Sequence, residues 1–147
     1  MEPTGSNGNR GRDRKREERL MSNILVAEDT PDSREMFRWL LEQEGYSVTT
    51  AEDGEQAWEI ARRNPPDLLL TDLMMPVKSG VELIKDFRSS EGELSRIPIV
   101  AISAYGIEEL HQAMAAGANA ILRKPNDLDS VADTVRNLLR RSKPSSS

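Results

Sequence analysis

Five short runs of residues, most of them unbroken apolar stretches, alternate with segments of helical periodicity along the middle of the chain. The runs lie at 24–27, 47–51, 68–72, 99–103 and 120–123. Strands that are buried on both faces read as continuous apolar runs, and each parallel crossover brings a helix with it. The alternation therefore predicts an α/β domain in which helices cover both faces of a five-stranded parallel sheet.

The segments between the runs carry helix boundaries and apolar stripes. Asp32 or Ser33 is the expected N-cap of the first helix, and Gly45 is its expected end. Pro65 and Pro66 stop the second helix before the third strand. The expected stripes of the first and last helices are Met36, Phe37, Leu40 and Leu41, and Leu128, Val131, Val135 and Leu138, respectively.

Length and composition predict one domain between two tails. A chain of 147 residues with 37% hydrophobic content suits a single globular domain, which we place at 23–141. Residues 1–22 carry many charges and almost no apolar side chains, so we expect a disordered charged tail there. Residues 142–147 are expected to form a flexible C-terminal tail. Because the chain ends at Ser147, we expect no separate output domain.

Charge and the missing residue types exclude several classes of protein. The net charge is −5, to which residues 1–22 contribute +2 and the remainder −7. An acidic domain repels phosphate backbones, so we expect no nucleic-acid partner. The absence of cysteine excludes disulfides and thiolate metal sites and favours a cytoplasmic location. No apolar stretch approaches the roughly 18 residues of a membrane span, so we expect no membrane association.

Charged and polar residues follow four of the five runs. Glu28 and Asp29 follow the first run, Asp72 ends the third, Ser103 ends the fourth and Lys124 follows the fifth. In an open parallel sheet the ligand site lies at the carboxyl ends of the strands, so these side chains are expected to meet there. Three carboxylates give a hard oxygen site that suits Mg²⁺, or Mn²⁺, rather than zinc or copper. Asp72 is the candidate nucleophile of this site.

With these motifs in order, the chain resembles the receiver domain of bacterial two-component response regulators over 23–141. The matching segments are 26–29, 70–76 together with Gly80, 102–104 and 122–125. The resemblance implies a flavodoxin-like (βα)5 fold with strand order 2-1-3-4-5. It also implies a cis peptide bond between Lys124 and Pro125.

The resemblance implies a phosphoryl-acceptor function. Asp72 would be phosphorylated by a histidine kinase or a histidine phosphotransfer protein. Glu28, Asp29 and Asp72 would hold Mg²⁺ together with the backbone carbonyl of Met74. Lys124 would neutralise charge on the phosphoryl group during an in-line transfer.

The resemblance also assigns residues to the readout of the phosphorylated state, with one departure from the family pattern. Ser103 would contact the new phosphoryl oxygens and act as a switch. The second switch position, which is usually aromatic, is Ile121 in this chain. Tyr105 and Met74 flank the predicted site and are candidate modulators of phosphoryl lifetime. Trp39 falls off the apolar stripe of the first helix, so we expect it to be exposed and available for partner docking.

These features favour a signalling protein over an enzyme. We expect a stand-alone response regulator or phosphorelay protein that acts by phosphorylation-dependent binding of a downstream protein. Its only expected enzymatic activities are self-phosphorylation and self-dephosphorylation. The alternative is a phosphohydrolase of the haloacid-dehalogenase type, which also uses a strand-end Asp, a Ser or Thr and a Lys. Such an enzyme needs a second acid two residues after the nucleophile, where this chain has Met74.

Overall fold

The computed structural model of the chain describes residues 22–104 and 106–142. The predictions for residues 1–21 and 143–147 of the two tails, and for Tyr105, lie outside the described residues. Five parallel strands form one sheet in the order β2-β1-β3-β4-β5, as the sequence predicted. The strands are β1 (Asn23–Ala27), β2 (Ser47–Ala51), β3 (Leu68–Asp72), β4 (Ile99–Ser103) and β5 (Ala120–Arg123).

Each strand is followed by a helix. These helices are α1 (Pro31–Gln43), α2 (Gly54–Arg63), α3 (Gly80–Ser89), α4 (Ile107–Ala116) and α5 (Val131–Ser142). Short 3-10 turns at Glu93–Arg96 and Leu128–Ser130 precede β4 and α5. Among the described residues, no helix combines the length and apolar character needed to cross a membrane.

The sheet separates two apolar cores because successive side chains of a strand point to opposite faces. In β1, Leu25 and Ala27 pack into the core beneath α2, α3 and α4, whereas Ile24 and Val26 pack into the core beneath α1 and α5. All five residues of β3 and all five of β4 are buried. The sheet is therefore covered on both faces, as the unbroken apolar runs predicted.

The first helix begins earlier than the sequence predicted. Its N-cap is Thr30 rather than Asp32 or Ser33, and the Thr30 side chain makes no capping hydrogen bond. Pro31 occupies the first turn, where the fixed φ of proline suits a helix and its missing N–H needs no partner. The predicted end is confirmed, since the helix stops before Gly45, which has a φ of 98°.

The stripe of the last helix also differs from its prediction. Leu128 lies in a 3-10 turn, and α5 starts only at Val131. Leu139 is buried, whereas Leu138 packs at the margin of the core. Residues spaced by four lie on one face of a helix, so the stripe that starts at Val131 and Val135 continues to Leu139.

A partly buried arginine connects three segments at the amino-terminal edge of the sheet. Arg88, in the last turn of α3, donates to the carbonyls of Ser95 (3.0 Å), Ile97 (2.8 Å) and Gly117 (2.9 Å). Its guanidinium also donates to Oδ1 of Asn119 at 2.7 Å. Burial lowers the pKa of Arg88. The guanidinium fork therefore satisfies main-chain acceptors on both sides of β4.

Replacing Arg88 with lysine should lower the free energy of unfolding by on the order of 3 kcal/mol, because one ammonium group cannot reach four acceptors on separate segments. Urea denaturation would measure the change. Arg63→Lys is the matched control, since the Arg63 side chain is 78% exposed. A change of less than 1 kcal/mol in Arg88→Lys would contradict this account.

Candidate functional site

Strand register brings the predicted site residues to one edge of the sheet. Ala27 in β1 is paired with Thr71 in β3, so Glu28 and Asp72 follow at the same level. Asp72 is in turn paired with Ile102 in β4. The carboxyl ends of these three neighbouring strands therefore finish side by side, as parallel pairing requires.

Three carboxylates and one ammonium group meet at this edge. Carboxylate oxygens of Glu28, Asp29 and Asp72 lie within 4.8 Å of one another. Nζ of Lys124 donates to Oε1 of Glu28 at 2.7 Å and to Oδ2 of Asp72 at 3.2 Å. Glu28 and Asp72 are buried, and Asp29 is the most exposed of the three acids. The donor set is all oxygen and partly open, and it fits a divalent cation such as Mg²⁺.

The backbone fixes one oxygen of the Asp72 carboxylate. Its Oδ1 accepts hydrogen bonds from the N–H groups of Leu73 at 2.6 Å and Met74 at 3.2 Å. Its Oδ2 faces Lys124. The two oxygens therefore have different environments, and the carboxylate is held in one orientation toward the acidic cluster.

Burial and the contacts between these charges shift two pKa values. Burial raises the pKa of Glu28 to about 7; the hydrogen bond from Lys124 opposes this shift, and the charge of Asp72 adds to it. Burial alone would lower the pKa of Lys124, but its hydrogen bond to Glu28 and the charge of Asp72 outweigh burial, so this pKa is raised. Lys124 therefore stays charged at neutral pH, whereas Glu28 titrates near neutrality in the absence of a metal.

The other predicted site residues lie in different surroundings. Ser103 is fully buried at the end of β4, and its carbonyl accepts a hydrogen bond from the N–H of Lys124 at 2.9 Å. Ile121 is partly buried against the core beneath α2, α3 and α4. Met74 is 50% exposed, and Trp39 is 61% exposed, which confirms the predicted exposure of Trp39. The cis bond predicted before Pro125 is also present.

The loop after Asp72 is tightly folded. Val77 has a φ of 70°, which is unfavourable for a β-branched residue, and the N–H of Lys78 donates to the carbonyl of Pro76 at 2.7 Å. A Cβ atom on Gly80 would collide with the carbonyl oxygen of Asp72. Only glycine therefore permits this close return of the chain to the site.

The sequence reasoning missed one contact at the site. Nη1 of Arg34, in the first turns of α1, donates to the carbonyl oxygen of Glu28 at 2.9 Å and approaches that of Asp29 at 3.5 Å. The available signal was the spacing, because an arginine five residues after Asp29 falls on a helix that begins beside the acids. The spacing could not predict that the guanidinium of Arg34 donates to backbone carbonyls.

A parallel sheet with an acidic cluster and a lysine at its carboxyl edge fits both a receiver domain and a phosphohydrolase of the haloacid-dehalogenase type. The family model of the response regulator receiver domain matches residues 24–136. The chain belongs to this family. Receiver domains are signalling domains of two-component systems, and the family match favours this class over the haloacid-dehalogenase-type alternative.

Individual relatives and structures agree with this assignment. The chain is 38% identical over 122 residues to the response regulator MprA of Mycobacterium leprae, covering 82% of this chain and 52% of that protein. It is 29% identical over 121 residues to the polar-differentiation response regulator DivK of Brucella abortus, covering 82% and 98%. The response regulator TrrA of Thermotoga maritima, solved with Mg²⁺-BeF, superposes with a TM-score of 0.72 at 30% identity, covering 80% and 99%. The chain thus spans about half of MprA and nearly all of DivK and TrrA.

The affinity for Mg²⁺ should fall as the pH drops below about 7, because the metal must displace a proton from Glu28. For a single group with a pKa of about 7, the affinity should be roughly tenfold lower at pH 6 than at pH 8. Isothermal titration calorimetry between pH 6 and 8 would measure it. Glu28→Gln should bind Mg²⁺ more weakly and without this dependence. A wild-type affinity that stays constant between pH 6 and 8 would refute the assignment of Glu28 as a metal-binding residue.

Proposed function

We propose that this chain is a response regulator in which Asp72 accepts a phosphoryl group from phosphohistidine with the help of Mg²⁺. The observation that carries the proposal is the bridging position of Lys124, whose ammonium group contacts both Glu28 and Asp72. A lysine between a nucleophilic carboxylate and a metal-binding carboxylate suits a site where charge must be neutralised around an incoming phosphoryl group.

In the proposed transfer, a carboxylate oxygen of Asp72 attacks phosphorus in line with the phosphorus–nitrogen bond of the donor. The new phosphorus–oxygen bond forms as that bond breaks, and its electron pair returns to the imidazole nitrogen of the donor histidine. A bound Mg²⁺ supplies positive charge facing the phosphoryl oxygens. Glu28, Asp29, Asp72 and the carbonyl of Met74 are the protein groups proposed to hold it.

The protein's own residues supply the orientation of this site. The N–H groups of Leu73 and Met74 hold Oδ1 of Asp72, so the nucleophile does not rotate away from the donor. Lys124 carries a permanent charge, and its Nζ also lies 5.8 Å from the centre of the Phe37 ring. We assign Lys124 to charge neutralisation on the phosphoryl oxygens, after they replace part of its present contact with the acids.

The proposed output is a change in partner binding. Ser103 is buried at the end of β4, and its carbonyl accepts a hydrogen bond from the N–H of Lys124. A movement of its hydroxyl toward a phosphoryl group would therefore change the packing of β5 and α4. Ile121 in β5 occupies the second switch position, and it has no aromatic ring that could rotate on phosphorylation. The proposed partners are a histidine kinase or phosphotransfer protein as donor and a downstream protein as target.

Incubation with acetyl phosphate and Mg²⁺ should modify the wild-type protein on Asp72, because the carboxylate oxygen is the nucleophile. Asp72→Asn should remove the modification completely, as measured on a Phos-tag gel. EDTA should abolish labelling of the wild type, and circular dichroism should show that the variant is folded. Equal labelling of the wild type and Asp72→Asn would refute the assignment.

Trp39 is proposed to contribute to docking of the phosphodonor protein, since its side chain is 61% exposed on α1 and tryptophan is enriched among the residues that dominate protein interfaces. Trp39→Ala should slow transfer from a histidine phosphodonor protein about tenfold or more. Labelling by acetyl phosphate is the control. This small donor does not need a docking surface on α1, so its labelling rate should not change. An unchanged rate from the protein donor would refute the docking role.

A further inference from the structure

Arg34 occupies an unusual position for a charged side chain beside three acids. It bonds to the main chain of two of these acids rather than to their carboxylates: Nη1 lies 2.9 Å from the Glu28 carbonyl oxygen and 3.5 Å from that of Asp29. A solvated ion pair is therefore not its role in this structure. The guanidinium instead holds the backbone of the two residues that carry the metal-binding carboxylates.

Little else holds this backbone in place. The N–H of Glu28 donates to the carbonyl of Ala51 at 3.0 Å, which anchors the start of the segment to β2. The N–H of Thr30 donates to Oε2 of Glu28 at 3.2 Å, and Thr30 makes no side-chain cap to α1. The carbonyls of Glu28 and Asp29 receive their side-chain hydrogen bonds from the Arg34 guanidinium.

The consequence for the carboxylates is geometric. Rotation of a peptide plane at either acid would redirect the attached side chain, and the three carboxylates lie within a span of only 4.8 Å. A cation requires its oxygen ligands at short, defined distances, so small changes in peptide orientation weaken its binding. Outer groups that orient metal ligands are typically worth about 10–100-fold in metal affinity.

We propose that Arg34 is a positioning residue of the phosphoryl-acceptor site, which orients Glu28 and Asp29 for Mg²⁺ by holding their carbonyl groups. This inference rests on the proposed function. Arg34 acts through the two acids, and it touches neither Asp72 nor Lys124 by any hydrogen bond within the described part of the chain. Its loss should affect metal binding and the metal requirement of phosphorylation more than the chemistry at saturating metal.

The test uses the full chain with Arg34→Met, which keeps an unbranched side chain but has no donor, and Arg34→Lys, which restores one donor. Arg38→Met is the matched control. Arg38 lies one turn later on α1, and its contacts are with Glu35, Glu42 and Thr50 rather than with the acidic cluster. The measurements are the Mg²⁺ dissociation constant by calorimetry and the Mg²⁺ concentration that gives half-maximal labelling by acetyl phosphate.

Arg34→Met should raise both values about tenfold or more, Arg34→Lys should recover part of the loss, and Arg38→Met should stay within about twofold of the wild type. The labelling rate of Arg34→Met at saturating Mg²⁺ should return to near the wild-type rate. A merely structural role would lower the thermal midpoint without moving the Mg²⁺ dependence.

The outcomes separate this inference from the function on which it rests. If the wild type binds Mg²⁺ and is labelled, but Arg34→Met keeps its Mg²⁺ affinity or loses no more than Arg38→Met, the positioning role is refuted alone. If the wild type itself neither binds Mg²⁺ nor becomes labelled, the proposed function and this inference fail together.

Discussion

The contact of Lys124 with two buried acids is the interaction on which the rest of the site depends. Glu28 and Asp72 are almost fully buried, and carboxylates so close to one another repel. The ammonium group compensates part of this repulsion. Burial, with a smaller contribution from the charge of Asp72, still raises the pKa of Glu28 to about 7. An excess of negative charge in an all-oxygen pocket favours the uptake of a divalent cation. Under the proposed function, the cation in turn favours the binding of a phosphoryl anion.

This charge arrangement constrains the surrounding fold. The acids reach one another only because β1 and β3 are parallel neighbours whose last paired residues, Ala27 and Thr71, are level. The chain must then turn back sharply after Asp72, which requires the glycine at 80 and tolerates a positive φ at Val77. The second core contributes as well, since the ring of Phe37 lies 5.8 Å from the lysine ammonium group.

Much of this arrangement could be predicted from the sequence, because its elements depend on strong local patterns. Unbroken apolar runs fix β3 and β4, and the residues that end them, Asp72 and Ser103, follow at the site edge. Contacts made by long side chains to distant backbone could not be predicted in this way. The bond of Arg88 to Gly117 depends on where separate segments lie in space and leaves no periodic signal. For Arg34 the spacing places the side chain near the acids, but it does not tell whether the guanidinium bonds to their carboxylates or to their carbonyl groups. The start of α1 was misplaced because Asp32 and Ser33 are good caps in isolation, whereas Pro31 favours an earlier start.

The acceptance of a phosphoryl group and the conformational change that signals it make different physical demands on this site. Phosphoryl acceptance needs charges at fixed positions, and these are supplied by strand ends and backbone donors around Asp72. A switch needs a group with two stable positions. Ile121 packs against the core that contains Leu110 and Ala113 of α4, and its branched aliphatic side chain has no ring that could turn between two positions. Under the proposed function, the apolar packing of Ile121 beside α4 is therefore a candidate route for the signal, since no ring is present at this position to rotate.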